Sequence, residues 1–104
     1  GSISTTILPH RLVELVEDVF DTNIQIKNRS QSVIFGRKAA AYILKKYTQL
    51  SLNEIAKLIG VGDHTTVIYN IKTAENLIET EEWYKEKVEE IEKEIENFSK
   101  FVKE

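Results

Sequence analysis

The stretch SLNEIAKLIGVGDHTTVIYN (residues 51–70) contains a helix start, a helix stop and a second helix start in close succession. Ser51 and Glu54 have the spacing of a capping box, in which the serine oxygen accepts from a free backbone N–H and the glutamate reaches back to the cap. Leu52, Ile55, Leu58 and Ile59 form a short apolar face, and Gly60 suits the left-handed residue that ends a helix. Val61 and Gly62 then make a tight turn into a longer helix from Asp63 to about Glu79, whose inward face is expected at Val67, Ile68, Ile71, Ala74, Leu77 and Ile78. A short helix, a glycine turn and a longer helix describe a helix-turn-helix.

Asp63 is a preferred N-cap, its carboxylate accepting from backbone N–H groups at the positive end of the helix. That role does not account for His64, Thr65 and Thr66, since β-branched threonine loses rotamer freedom in a helix. Polar side chains on the first turn of a recognition helix can meet base edges. Threonine offers a hydroxyl or a methyl, histidine donates to guanine acceptors, and aspartate accepts from the cytosine amino group. A catalytic reading has little to build on. The other histidine, His10, lies far away on the first predicted helix, and Val67 and Ile68 stand where a second ligand or carboxylate would follow His64 at helical spacing. The same positions leave a metal without ligands, so neither enzyme activity nor a metal or cofactor is expected.

Upstream, a first helix is expected to start near Pro9, with Thr5 or Thr6 as cap, and to carry Leu12, Val13, Leu15, Val16, Val19 and Phe20 at helical spacing. The polar segment DTNIQIKNRSQS (21–32) reads as a loop. Ser30 or Ser32 can cap a second helix reaching about Tyr47, with Val33, Ala40, Ile43, Leu44 and Tyr47 on its buried side. Gly36 lies near the start of that helix, a mild cost unless close backbone approach requires it.

Downstream, Tyr84, Val88, Ile91, Ile95, Phe98 and Val102 recur at alternating steps of four and three, with Glu and Lys on the other faces. That stripe belongs to an amphipathic helix over residues 81–104, either packed on its own domain or joining a second copy or a protein partner. With one proline, four glycines and 41% apolar residues among 104, the chain is expected to be a single all-α domain of about four helices plus this long acidic one. Residues 3–80 are expected to form the helix-turn-helix domain, and the leading Gly1-Ser2 reads as a tag-cleavage scar. The absence of cysteine fits a reducing compartment, and no apolar run reaches membrane-spanning length, so a cytoplasmic setting without membrane contact is expected.

The net charge of −3 averages over three blocks. Residues 25–73 carry eight Lys and Arg against Glu54 and Asp63, a balance of +6. Residues 74–104 carry five Lys against eleven Glu, a balance of −6, and the first 24 residues are also acidic. A polyanion-binding middle flanked by acidic ends is the pattern. Arg29 in the loop, Arg37 and Lys38 early in the second helix, Lys45 and Lys46 at its end, Lys57 on the short helix and Lys72 on the next lie where backbone and groove contacts would be needed. Lys45 and Lys46 also complement the dipole of the helix they end.

Residues 28–77, NRSQSVIFGRKAAAYILKKYTQLSLNEIAKLIGVGDHTTVIYNIKTAENL, resemble the C-terminal DNA-binding domain of the DnaA family of bacterial chromosomal replication initiators. The likeness lies in an Arg-Ser loop, an Arg-led helix with a Lys-rich end, Ser-Leu-x-Glu-Ile, and Asp-His-Thr-Thr-Val at the recognition helix, and it extends over about residues 8–79. It implies a DnaA-box-like duplex as partner, in replication initiation or its regulation. Asp63, His64, Thr65 and Thr66 match the major-groove readers, Arg29 the arginine that enters the minor groove, Arg37 and Lys38 a contact pair, and Lys45 or Lys46 a phosphate contact. The chain departs from the family at Val61-Gly62, where Gly-Arg is usual, at Lys38 for glutamine, at Gln31 and Phe35 for basic residues and at Gly36 for proline. It also has no Gly-x-x-x-x-Gly-Lys phosphate loop, so nucleotide hydrolysis is not expected of it. The alternative function is a protein-interaction or dimerisation module acting through the acidic helix.

Overall fold

The computed structural model describes residues 8–24 and 30–103, with side chains as far as residue 97. Within them the chain is all-α: α1 (Pro9–Phe20), α2 (Gln31–Tyr47), α3 (Leu52–Ile59), α4 (His64–Thr80) and α5 (Glu82–Lys103). Pro9 opens α1, where its missing N–H costs nothing. The N-cap is Leu8, with no capping side chain, rather than Thr5 or Thr6, which lie outside the described residues. Leu12, Val13, Val16 and Phe20 are buried. Asp21 then takes the left-handed conformation (φ 53°) and its N–H bonds back to the carbonyls of Asp18 and Glu17; aspartate is among the few non-glycine residues that tolerate this region.

The segment after α1 is anchored at Ile24, whose side chain is fully buried. Its N–H donates to Glu17 Oε2 at 3.0 Å, and its carbonyl accepts from Arg37 Nε at 3.0 Å. Gly36 makes this possible, because a Cβ there would stand 2.9 Å from the Ile24 Cγ2 and 3.0 Å from the Thr22 Cγ2. The polar loop is shorter than expected at its far end, since Gln31 and Ser32 already belong to α2 and Ser30 occupies the cap position without a capping side-chain bond.

α2 is the central element, in contact with α1, α3 and α4. Val33, Ala39, Ala40, Ala41, Ile43 and Leu44 are all buried, and Tyr47 is half-buried. The run of three alanines lets helices approach from several sides without leaving polar groups behind. Thr48 ends α2, its hydroxyl donating to the Leu44 carbonyl at 2.6 Å.

α5 follows α4 with no intervening loop beyond Glu81 and lies against α1 and α4. Tyr84, Val88, Ile91 and Ile95 of its stripe are buried in the common core, so these four positions are satisfied within the chain. A coiled-coil seam through them would have to compete with that packing; Phe98 and Val102 fall outside the described side chains. Tyr84 sits among Phe20, Phe35 and Trp83, with ring centroids 5.1–5.8 Å apart across the group. Its hydroxyl donates to the Phe35 carbonyl at 2.9 Å, and burial pushes its pKa well up. Lys87 reaches the Val19 carbonyl at 3.3 Å, placing a cation at the negative end of α1. No described helix is long and apolar enough to cross a membrane.

Candidate nucleic-acid interface

The turn that aims α4 is built from local chemistry. Ser51 Oγ accepts from the Glu54 N–H at 3.2 Å, and Glu54 accepts from the Ser51 N–H at 2.9 Å, completing the capping box. Gly60 adopts φ 77°, and the Val61 N–H reaches back to the Ala56 carbonyl at 3.0 Å, the six-to-one bond of a Schellman stop. Ile55, Ala56 and Ile59 of α3 and Val67 and Ala74 of α4 bury the inner side of the motif. Gly62 is different in kind: a Cβ there would meet nothing within 4 Å.

Asp63 caps α4 as expected. One carboxylate oxygen accepts from both the Thr66 N–H at 2.9 Å and the Thr66 hydroxyl at 3.0 Å. These bonds hold the Asp63 carboxyl below its ordinary pKa, the backbone bond contributing most. Thr66 is half-buried and its hydroxyl proton is committed to Asp63, leaving lone pairs and a methyl to the outside. His64 and Thr65 are exposed on the first turn. The Asp63–Thr66 clamp therefore fixes the backbone from which these two side chains project.

Beyond the first turn, the pattern expected for α4 needs one correction. Ile68, expected inward, is 37% exposed, and the inward polar position is Asn70 on the other side of the helix. The reason is angular. Val67, Asn70 and Ala74 define the inner line of the helix, while Ile68 lies one residue round from it, on the same side as Thr65 and Lys72. Tyr69, one turn beyond Thr65, is 63% exposed and belongs to that outer face. Sequence reading passed over Tyr69; its i+4 spacing from Thr65 was the available signal.

The cations separate into groups. Lys72 is exposed on the α4 outer face. Lys38, from α2, holds its ammonium 5.3 Å from the centre of the Tyr69 ring, bringing a second-helix cation onto α4. Arg37 has its Nε committed to the Ile24 carbonyl, so it also shapes the fold where the loop leaves α1. Lys45 is exposed at the end of α2. Lys46 turns instead to α5, where its ammonium lies 2.6 Å from Glu92 Oε2, an oxygen that also accepts from the Tyr47 hydroxyl at 3.0 Å. Arg29 lies outside the described residues.

Comparison with known proteins agrees with this geometry. Residues 10–74 match the family described as bacterial DnaA protein helix-turn-helix. Among curated relatives, the chromosomal replication initiator protein DnaA of Flavobacterium psychrophilum is 34% identical over 85 residues, covering 79% of this chain and 18% of the relative. The protein of the same name from Bacteroides thetaiotaomicron is 36% identical over 75 residues, covering 72% of this chain and 16% of the relative. The chain thus spans less than a fifth of the length of these relatives. With the family match running through α1 to α4 and the helix-turn-helix built as described, the chain belongs to the C-terminal helix-turn-helix family of bacterial DnaA, a family of DNA-binding domains.

Proposed function

We propose that the chain binds double-stranded DNA sequence-specifically, at DnaA-box-like sites, in replication initiation or its regulation. The observation that carries this reading is the outer face of α4. A first turn locked by Asp63 and Thr66 presents His64 and Thr65, and the same face continues through Tyr69 to Lys72. A rigid, polar, exposed helix start that continues into cations is what a major groove accepts. In this reading Asp63, His64, Thr65 and Thr66 read bases. Thr66 does so through its lone pairs and methyl, because its proton is already used, which suits an amino group or a thymine methyl rather than a guanine acceptor. Arg37, Lys38, Lys45 and Lys72 contact phosphates and set register, and Arg29 enters the minor groove. The Glu92 partner of Lys46 favours Lys45 as the phosphate contact at the end of α2.

Each phosphate neutralised releases counterions, so affinity falls with salt by about 0.9 unit of log–log slope per contact. The test is a titration of a box duplex against a scrambled one at fixed salt, with His64→Ala, Thr65→Ala and Thr66→Val. Loss of a base contact should cost about 1–3 kcal/mol at particular base pairs and narrow the box-to-scrambled ratio. Three variants that all keep the wild-type ratio would show that α4 does not read sequence.

A further inference from the structure

Tyr69 has no place in the core: it is 63% exposed, on a helix whose burial is carried by Val67, Asn70 and Ala74. Its partner from another helix, among the described residues, is the Lys38 ammonium, 5.3 Å from the ring centre and therefore within cation–π range. Lys38 is half-buried, and among the described residues no carboxylate forms an ion pair with it. The chemistry of that pairing matters. A carboxylate partner would neutralise the ammonium and have to be displaced before a phosphate could bind. A ring face holds the cation by its quadrupole, leaves the full charge in place and leaves N–H donors pointing away from the ring. Tyr69 also stands one turn beyond Thr65 and one turn before Lys72, so a cation held over it lies beside the face that would enter the groove.

We propose that Tyr69 is a positioning residue for DNA binding: its ring holds the Lys38 ammonium, still charged, where a phosphate of the bound duplex accepts from it. This rests on the DNA-binding reading above and adds a role for two residues of different helices acting together. It also gives Lys38 a function that a neutral amide side chain at the same place could not supply.

The experiment is the salt dependence of box-duplex affinity for the wild type, Lys38→Ala, Tyr69→Phe, Tyr69→Leu and the double variant Lys38→Ala/Tyr69→Leu. Lys38→Ala should flatten the slope by about 0.9 unit, one phosphate contact. Tyr69→Leu removes no charge, yet it should flatten the slope toward the Lys38→Ala value, and the double variant should be no flatter than Lys38→Ala alone. Tyr69→Phe keeps the ring and should keep the wild-type slope. A wild-type slope in Tyr69→Leu overturns the proposal, as does a Tyr69→Phe slope as flat as that of Tyr69→Leu, which would assign the effect to the hydroxyl. The ring-current shift of the Lys38 ε-methylene protons in the DNA-free protein gives a second readout. It should be upfield in the wild type and Tyr69→Phe and lost in Tyr69→Leu; its absence from the wild type overturns the pairing. Should the wild type itself show no salt-dependent duplex binding, the broader reading falls and the proposal with it. Salt-dependent box binding that is indifferent to Tyr69→Leu removes only the proposal.

Discussion

Lys38 and Lys46 lie on the same helix, both with tyrosine rings within cation–π distance, and they end in opposite circumstances. Lys46 stands over Tyr42 and Tyr47 at 5.6 and 5.5 Å, but its ammonium is paired with Glu92 of α5. Lys38 stands over Tyr69 of α4 with no carboxylate paired to it among the described residues. The first contact ties α2 to the acidic helix; the second brings a charge onto α4 without a carboxylate to neutralise it. Among the described cations of the +6 block, tertiary packing thus pairs Lys46 with a carboxylate and sets Lys38 against a ring. The rule it teaches is that a basic patch is weighed by the partners of its members, not by their number.

The largest effect is expected where α5 meets the core. Ile91 is fully buried on the stripe that joins α5 to the core. Ile91→Ala should cost about 2–5 kcal/mol of folding stability, from lost burial plus a residual cavity. Urea unfolding would measure it. At a temperature where the variant remains folded, its salt slope for DNA should equal that of the wild type, because no outward cation has changed. A flattened slope would mean that α5 reaches the DNA-binding face and that the two regions are not separable.

The outward side is sharpened by adding charge to it. Gly62 precedes the cap, its Cβ direction is open, and it does not take the positive φ that would strain a side chain. Gly62→Arg should therefore fold normally and restore a cation beside the first turn of α4. The expected result is a salt slope steeper by about 0.9 unit and tighter binding at low salt for box and scrambled duplexes alike. An unchanged slope would place this turn away from the duplex backbone.

How far this was legible in sequence depends on the range of each interaction. Ser51, Glu54, Gly60 and Asp63 could be assigned because a cap is completed within a few residues, and the structure has all of these bonds. The stripe from Tyr84 to Ile95 could be recognised by its period, though not what it would pack on. Ile68 was misplaced because apolar residues at 67, 68 and 71 fit more than one helical face, and only the neighbouring helices choose between them. The Arg37–Ile24, Lys38–Tyr69 and Lys46–Glu92 contacts join distant segments, and no periodicity announces such pairs. The helix-turn-helix was therefore readable, while the division of its cations was not.

Removing the Lys46 cation tests the inward side at smaller amplitude. Its side chain is about half exposed and that of Glu92 less so, which places the pair among surface ion pairs worth roughly 0.2–1 kcal/mol. Lys46→Ala should lower the urea midpoint slightly and leave the salt slope for DNA at the wild-type value. The same lysine at full phosphate engagement would flatten the slope by about 0.9 unit, so the two roles give different signatures in one pair of measurements.

The smallest expected effects separate the two regions by pH. Asp63 is depressed by its bonds from the Thr66 N–H and hydroxyl, so its contribution to stability is complete above its unfolded pKa and is lost as pH falls through the lower folded value. Lys46 is raised, chiefly by the hydrogen bond to Glu92, so its contribution is complete below the ordinary lysine value of 10.5 and is lost as pH rises through the folded value. Urea midpoints across acid and alkaline pH should therefore respond to different substitutions. Asp63→Asn keeps a good capping side chain without the ionisation, and should reduce the acid-side loss while leaving the alkaline side alone. Glu92→Gln should reduce the alkaline-side loss, because it removes the acceptor that raises Lys46. An alkaline-side change in Asp63→Asn would mean that the first turn of α4 and the α5 contact titrate as one unit, against the separation that Lys38 and Lys46 define.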